Sequence, residues 1–287
     1  MVMMSGTASA QTETAKRPVV DSAPDHLVYR GGGIIRGHLE GWVAEDTLEL
    51  QRRHQGSWSS IATRTVDAEG RVQFRLDRMT RTRVYRLIHV DPTTQAKVMS
   101  REVQVKVAPK LTVSVSNDNV MEGRMVTVRG RLTGPSRPVT IQHRVGRRWR
   151  YVDTAWVREG LYAVRFEANR AGSHPVRAVF RGDSHNTAAK DRTPLRVYNA
   201  APATWYGPGF YGNRTACGQT LGTETLGVAH RTLPCGTEVA VLYKGRWLVV
   251  EVIDRGPYSH ADWDLTSETA ERLRFSGSGT IGVDPGQ

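Results

Sequence analysis

Short runs in which every second residue is apolar recur along most of the chain. Thr47-Leu48-Glu49-Leu50-Gln51, Arg71-Val72-Gln73-Phe74-Arg75-Leu76 and Glu102-Val103-Gln104-Val105-Lys106-Val107 each alternate apolar and polar side chains, which is the pattern of a half-buried strand. Turn residues separate these runs, and nothing before residue 265 has the period of a long helix. One short amphipathic helix is predicted over about 266–273, with Ser267 as a cap partner near its start. Residues 13–26 are polar, contain Pro18 and Pro24 and show no periodicity, so they read as a linker. No apolar run approaches the roughly 18 residues that a membrane-spanning helix requires, so no membrane span is predicted.

The strand pattern repeats at an offset of about 91 residues. Ile35-Arg36-Gly37-His38-Leu39-Glu40-Gly41 returns as Val128-Arg129-Gly130-Arg131-Leu132-Thr133-Gly134, Gln51 and Trp58 return as Gln142 and Trp149, and the run from Gly70 to Phe74 returns between Gly160 and Phe166. Units of about 85 to 95 residues made of short strands have the size and rhythm of immunoglobulin-like sandwiches, and the pattern resembles the bacterial Ig-like modules of cell-surface proteins. Neither unit contains a cysteine, so the antibody-type core disulfide is absent. The expected organisation is a signal remnant and flexible linker over 1–26, one Ig-like sandwich over 27–108, a second over 109–199, and a different domain over 200–287.

Charge separates the same parts. The chain of 287 residues carries 40 Lys plus Arg against 28 Asp plus Glu, a formal charge of +12. The segment 200–287 holds seven Lys or Arg against nine Asp or Glu, net −2, so the first 199 residues carry 33 against 19, net +14. That surplus predicts a polyanionic partner for the front of the chain. Arginine clusters at 78–86 and 144–150 could grip phosphate-bearing wall polymer or nucleic acid, since guanidinium forks suit phosphate oxygens. The alternative makes those arginines solvated strand faces and places Trp58, Trp149 and Trp156 in the core. At the N-terminus, Ala8-Ser9-Ala10 matches the small-x-small pattern before a signal peptidase site, but no basic or long apolar region precedes it. A secretory signal with its start missing fits, and points to an exported, extracytoplasmic protein. The two cysteines, Cys217 and Cys235, would close a loop of about 18 residues if paired, which suits an exported domain; two reduced thiols are the alternative.

From Ala203 onward the composition changes to glycine-rich turns and small polar motifs. Thr204-Trp205-Tyr206-Gly207-Pro208-Gly209-Phe210-Tyr211-Gly212 is followed by Arg214-Thr215-Ala216-Cys217-Gly218, Ala229-His230-Arg231-Thr232-Leu233-Pro234, Asp254-Arg255-Gly256-Pro257-Tyr258 and Asp262-Trp263-Asp264-Leu265-Thr266. Taken without any family, Asp254 leaves an apolar strand at a tight turn, where its carboxylate can face a groove or bond to turn amides or Arg255. Asp264 could join it there, or cap the helix that follows. Two carboxylates converging on one groove suit glycosidic chemistry.

Together these motifs resemble the double-psi β-barrel of the rare lipoprotein A (RlpA) family, with expansins as distant relatives, over residues 202–283. The resemblance completes an all-β chain: two tandem Ig-like β-sandwiches followed by a six-stranded double-psi β-barrel. It implies cleavage of peptidoglycan glycan strands without water, leaving 1,6-anhydro-muramyl ends. Asp254 and His230 map to the glycan groove, with Asp254 acting first as acid and then as base, and Asp264 maps to the groove aspartate of expansins. Tyr206, Tyr211, Thr215, Gln219, Arg255 and Tyr258 are candidate substrate contacts, whereas Trp205 is expected in the barrel core. His230 could instead be structural. One departure stands out: the family's glutamate after the T-A-x-G turn is Gln219 here, which cannot hold charge or trade a proton. The barrel is therefore expected to bind peptidoglycan and cleave it as a lytic transglycosylase, or to act as a non-catalytic, expansin-like wall-loosening module. No metal or organic cofactor is implied, and no nucleic-acid motif occurs.

Overall fold

A computed structural model describes residues 15–134 and 136–286. The Ala8-Ser9-Ala10 signal pattern lies outside the described residues. The chain divides into two compact units: one takes residues up to Lys110 together with Arg181–Ala189, and the other takes Leu111–Phe180 and Lys190 onward.

The first unit is a two-sheet sandwich. Strands Arg17–Ser22, Gly31–Glu40 and Arg71–Met79 form a three-stranded sheet. Across the core lies a larger sheet in the order His26–Val28, Val103–Ala108, Arg83–Val90, Thr47–His54 and Ser57–Thr65. Ile35, Leu39, Phe74 and Leu76 from the first sheet meet Leu48, Leu50, Tyr85, Leu87 and Val105 from the second in one buried cluster. Residues 17–22 correct the linker reading, because they form an edge strand paired antiparallel with 36–40. Pro18 and Val20 alternate inward there, and a proline is tolerated because an edge strand has one side that needs no ladder bond.

The second unit opens with a sandwich of the same plan. Lys110–Val115, Arg124–Thr133 and Leu161–Ala168 form one sheet, and Arg148–Trp156, Pro138–Val145, Val176–Phe180 and Ala189–Thr193 form the other. The sequence repeat has a structural counterpart. Both copies carry a register shift at equivalent places, Leu50/Gln51 and Ile141/Gln142. The repeated glycines are also explained: a Cβ on Gly37 would strike Leu87 and the Val19 carbonyl, and one on Gly130 would strike Tyr162 and the Thr112 carbonyl. The tryptophans correct the core reading. Trp156 is 69% exposed, and Trp58 and Trp149 are half-buried beneath arginines.

A closed barrel follows, built from β1 (Arg196–Tyr206), β2 (Val228–Ala229), β3 (Glu238–Tyr243), β4 (Arg246–Asp254), β5 (Trp263–Thr266) and β6 (Gly279–Asp284), with α1 (Ser267–Leu273) between β5 and β6. The order around the barrel is β1-β5-β2-β4-β3-β6, closed by β6 pairing with β1. Val228, Val239, Val241, Val252, Trp263, Leu265, Leu273 and Ile281 fill the interior. The start of β1 also pairs with Asn119–Met121 and Gly172–Ser173 of the preceding sandwich, so one strand serves both bodies. The N-cap of α1 is Thr266 rather than Ser267, and its hydroxyl accepts the Thr269 amide at 3.3 Å.

Candidate functional site

Strand register brings the distant motifs together. Ala229 on β2 pairs with Asp254 on β4 on one side and with Asp264 on β5 on the other. Asp264 in turn pairs with Thr204 on β1. Residues paired directly across neighbouring strands share a face, so Thr204, Asp264, Ala229 and Asp254 form one row. Adjacent strands lie about 4.8 Å apart, which sets the Cα atoms of the two aspartates roughly 10 Å apart with only a methyl group between their strands.

Each carboxylate is held differently. Asp254 Oδ1 accepts the amides of Ala216 and Arg255, each at 2.8 Å. The Arg255 guanidinium turns away to the backbone carbonyls of His230 and Asp254 and to Cys235 Sγ. Asp254 is thus anchored by turn amides, and Oδ2 receives neither bond. Asp264 Oδ1 accepts the Thr204 hydroxyl at 2.8 Å. Burial raises the Asp264 pKa, the Thr204 bond opposes that, and the neighbouring Asp254 charge adds to the rise. It does not cap α1. Tyr206 lies two residues beyond Thr204 on the same face of β1. Its buried hydroxyl makes no well-aligned hydrogen bond, yet burial and then the charges of Asp254 and Asp264 push its pKa well up.

His230 continues from Ala229. Its Nδ1 accepts the amides of Thr232 at 3.3 Å and Leu233 at 3.1 Å, which places the ring proton on Nε2. Burial holds its pKa below the usual 6.5, with Arg231 and Arg255 reinforcing the shift and Asp262 opposing it. The ring rests on Trp263 at 4.3 Å between centroids. His230 is thus a neutral donor through Nε2 and has no free basic nitrogen.

The loops around the row carry the remaining candidates. Tyr211 Oη bonds Ser267 Oγ at 2.6 Å, and Gly207 permits this contact because a Cβ there would meet both groups. Thr215 is buried, its amide bonds the Gln219 carbonyl at 2.8 Å, and its hydroxyl has no partner among the described residues. Gln219 is exposed. Tyr258 is 86% exposed. Trp205 is 39% exposed, which corrects the core expectation; it alternates outward between Thr204 and Tyr206. The Cys217–Cys235 disulfide is formed and clamps the turn that supplies the Ala216 amide to Asp254.

Sequence reasoning missed Thr204, Ala216, Ala229 and Arg231. Thr204 was legible as the i−2 neighbour of Tyr206, whereas the others depend on partners far along the chain. The Arg231 guanidinium bonds the carbonyls of Pro257, Ser259 and Ala261 and the Asp262 carboxylate, and so fixes the loop that presents Tyr258. Among the described residues, no three His, Cys, Asp or Glu side chains group to hold a metal ion.

The closed six-stranded β-barrel, with two carboxylates on one row of paired strands, is the fold expected of a double-psi barrel. Residues 198–284 match the family described as "Lytic transglycolase", and over this C-terminal segment the chain is similar to curated RlpA proteins. It is 42% identical over 87 residues to "Probable endolytic peptidoglycan transglycosylase RlpA" of Synechocystis sp., covering 29% of this chain and 27% of that one. It is 40% identical over 84 residues to "Endolytic peptidoglycan transglycosylase RlpA" of Campylobacter jejuni, covering 28% and 30%. The Pseudomonas aeruginosa protein of that name is 31% identical over 171 residues, covering 54% and 46%. The chain thus spans between about a quarter and a half of the length of these relatives.

Proposed function

We propose that the barrel of this exported, wall-associated protein binds peptidoglycan glycan strands and cleaves them as a lytic transglycosylase. The observation that carries this is the row in which Asp254 and Asp264 flank Ala229 on neighbouring strands. In this reading two residues share a role that the family resemblance gives to Asp254 alone. Asp264, whose pKa is raised, delivers its proton to the bridging oxygen as the bond from C1 to that oxygen breaks. Asp254 takes the proton of the C6 hydroxyl as that oxygen closes on C1, so no water is consumed. One proton enters the pair and one leaves it, and exchange with solvent restores both half-buried carboxyls to their starting states. His230 donates through Nε2 to a sugar oxygen, with Tyr211, Thr215, Gln219, Arg255 and Tyr258 as the surrounding contacts. The two front sandwiches, which we take as Ig-like modules, serve as spacer and as an anchor on anionic wall polymer.

Muropeptide profiles of purified sacculi test the reaction. The protein should release fragments with 1,6-anhydro ends, and Asp254→Asn should lower that release by about 100-fold or more, the scale of losing an acid-base group. Gln219 favours a second reading, a non-catalytic expansin-like binder, because an exposed amide replaces the family's carboxylate. Sedimentation with sacculi without any new anhydro ends would establish that binder and overturn catalysis.

A further inference from the structure

The repeat conserves more than core positions. In the first sandwich, Arg86 and Gln51 are direct cross-strand partners, Arg86 Nε donates to Gln51 Oε1 at 3.0 Å, and the guanidinium lies 4.1 Å from the centre of the Trp58 ring. In the second, Arg177 and Gln142 are direct partners, Arg177 Nε donates to Gln142 Oε1 at 2.8 Å, and the guanidinium lies 4.1 Å from the Trp149 ring centre. Gln51, Trp58, Gln142 and Trp149 are the residues of the sequence repeat, and the arginines complete the set. Each glutamine fixes the guanidinium at Nε, and each ring fixes its plane. The terminal nitrogens of Arg86 and Arg177 form no hydrogen bond or ion pair with a described residue. A stacked, oriented guanidinium with its two terminal amino groups open is a fork for a phosphate or carboxylate.

The second copy opens onto a cleft of about 520 Å³ lined by Trp149, Arg177, Lys190, Asp191 and Arg192. Its one acid is already engaged, since Asp191 Oδ2 accepts the Val113 amide at 2.8 Å. The first copy is partly neutralised, because Arg53 beside Trp58 pairs with Glu102 at 3.2 Å. The geometry points to an oxyanion-binding site, built once in each sandwich and open in the second, that holds a glycan polymer carrying phosphate or carboxylate groups. A nucleic acid fits less well, because single strands are held by stacking bases on exposed rings, and here an arginine covers a face of each tryptophan. The proposal deepens the reading of the front sandwiches as an anchor by naming where the polymer binds, and it does not depend on catalysis by the barrel.

Fluorescence anisotropy with the full chain tests it, using labelled poly(glycerol phosphate), labelled polygalacturonate and a labelled oligothymidylate of matched charge. The double variant R86Q/R177Q should weaken binding to at least one glycan probe about tenfold and flatten its salt dependence by about one unit of log–log slope per arginine. The control R129Q/R165Q removes the same charge from exposed positions on the opposite sheet and should change affinity less than twofold. Q51A/Q142A leaves the charge intact and should still weaken binding, about threefold, because the forks lose their orientation. A preference between the two glycan probes assigns phosphate or carboxylate as the recognised group. Equal losses in the control and the fork variants would reduce the effect to a diffuse field and overturn the site, as would tighter binding of the oligothymidylate than of either glycan, or no glycan binding at low salt. Sedimentation with sacculi is scored separately, so failure of the wall reading is distinct from failure of this site. Unchanged melting curves show that each variant is folded.

Discussion

At the scale of single residues, Asp264 is the group whose environment can be tested most directly. Burial raises its pKa above the usual 3.8, so between the unfolded and the folded pKa the folded state holds a proton that the unfolded chain releases. The stabilisation this gives is full below the unfolded pKa and is lost as pH rises through the folded pKa. Asp264→Asn removes a charge that is costly at neutral pH, while its amide oxygen still accepts the Thr204 hydroxyl. It should therefore raise the melting temperature near pH 7, with the difference shrinking toward pH 3.8; calorimetry across that range checks the sign. The same substitution should abolish anhydro-end release, so a gain in stability accompanies a loss of activity. His230 differs. Its Nδ1 is committed to two amides, and protonation would break both bonds. His230→Gln should retain sacculus binding better than His230→Ala if its Nε2 donor contacts glycan, and sedimentation at pH 7 reads that comparison.

At the scale of elements, two devices hold the loops against the barrel. The disulfide closes a separation of 18 residues, which corresponds to about 3 kcal/mol of stability on the loop-entropy estimate. Paired Cys217→Ser and Cys235→Ser changes should lower the urea midpoint accordingly. They should also loosen the turn whose Ala216 amide holds Asp254. Arg231 is the second device. Its guanidinium spans three carbonyls and a carboxylate in the 257–262 loop, so Arg231→Met should leave the barrel folded but free that loop. Faster amide exchange confined to residues around 256–262 is the expected signature; no change in exchange would remove Arg231 from this role. Strands Thr47–His54, Arg71–Met79 and Val103–Ala108 were legible from alternation, and so were α1 within a residue and the two cysteines that pair. Strand Arg17–Ser22 was not legible, because Pro18 masks a period-2 pattern that only an edge position tolerates.

At the scale of the whole molecule, β1 couples the second sandwich to the barrel within one unit. Tyr198 is fully buried and its hydroxyl donates to Asn119 Oδ1 at 2.6 Å, while Arg196 pairs with Asp284 at 3.4 Å. Gly282 of β6 packs against Met121 and Tyr198. A fragment beginning at Leu111 should melt in a single transition, whereas one beginning after Ala200 loses the first half of β1 and should be far less stable; scanning calorimetry of both checks this. Much of the plan followed from sequence alone, because alternation, repeat offset and turn motifs are local: an all-β chain, a twice-repeated unit and a chemically distinct C-terminal segment. What tertiary structure decided is non-local. It set Asp254 and Asp264 either side of Ala229, because strand register is fixed by pairing between segments far apart in sequence. It also turned the tryptophans of the repeat outward beneath arginines, because a shift of one residue in register moves a side chain to the other face of a sheet.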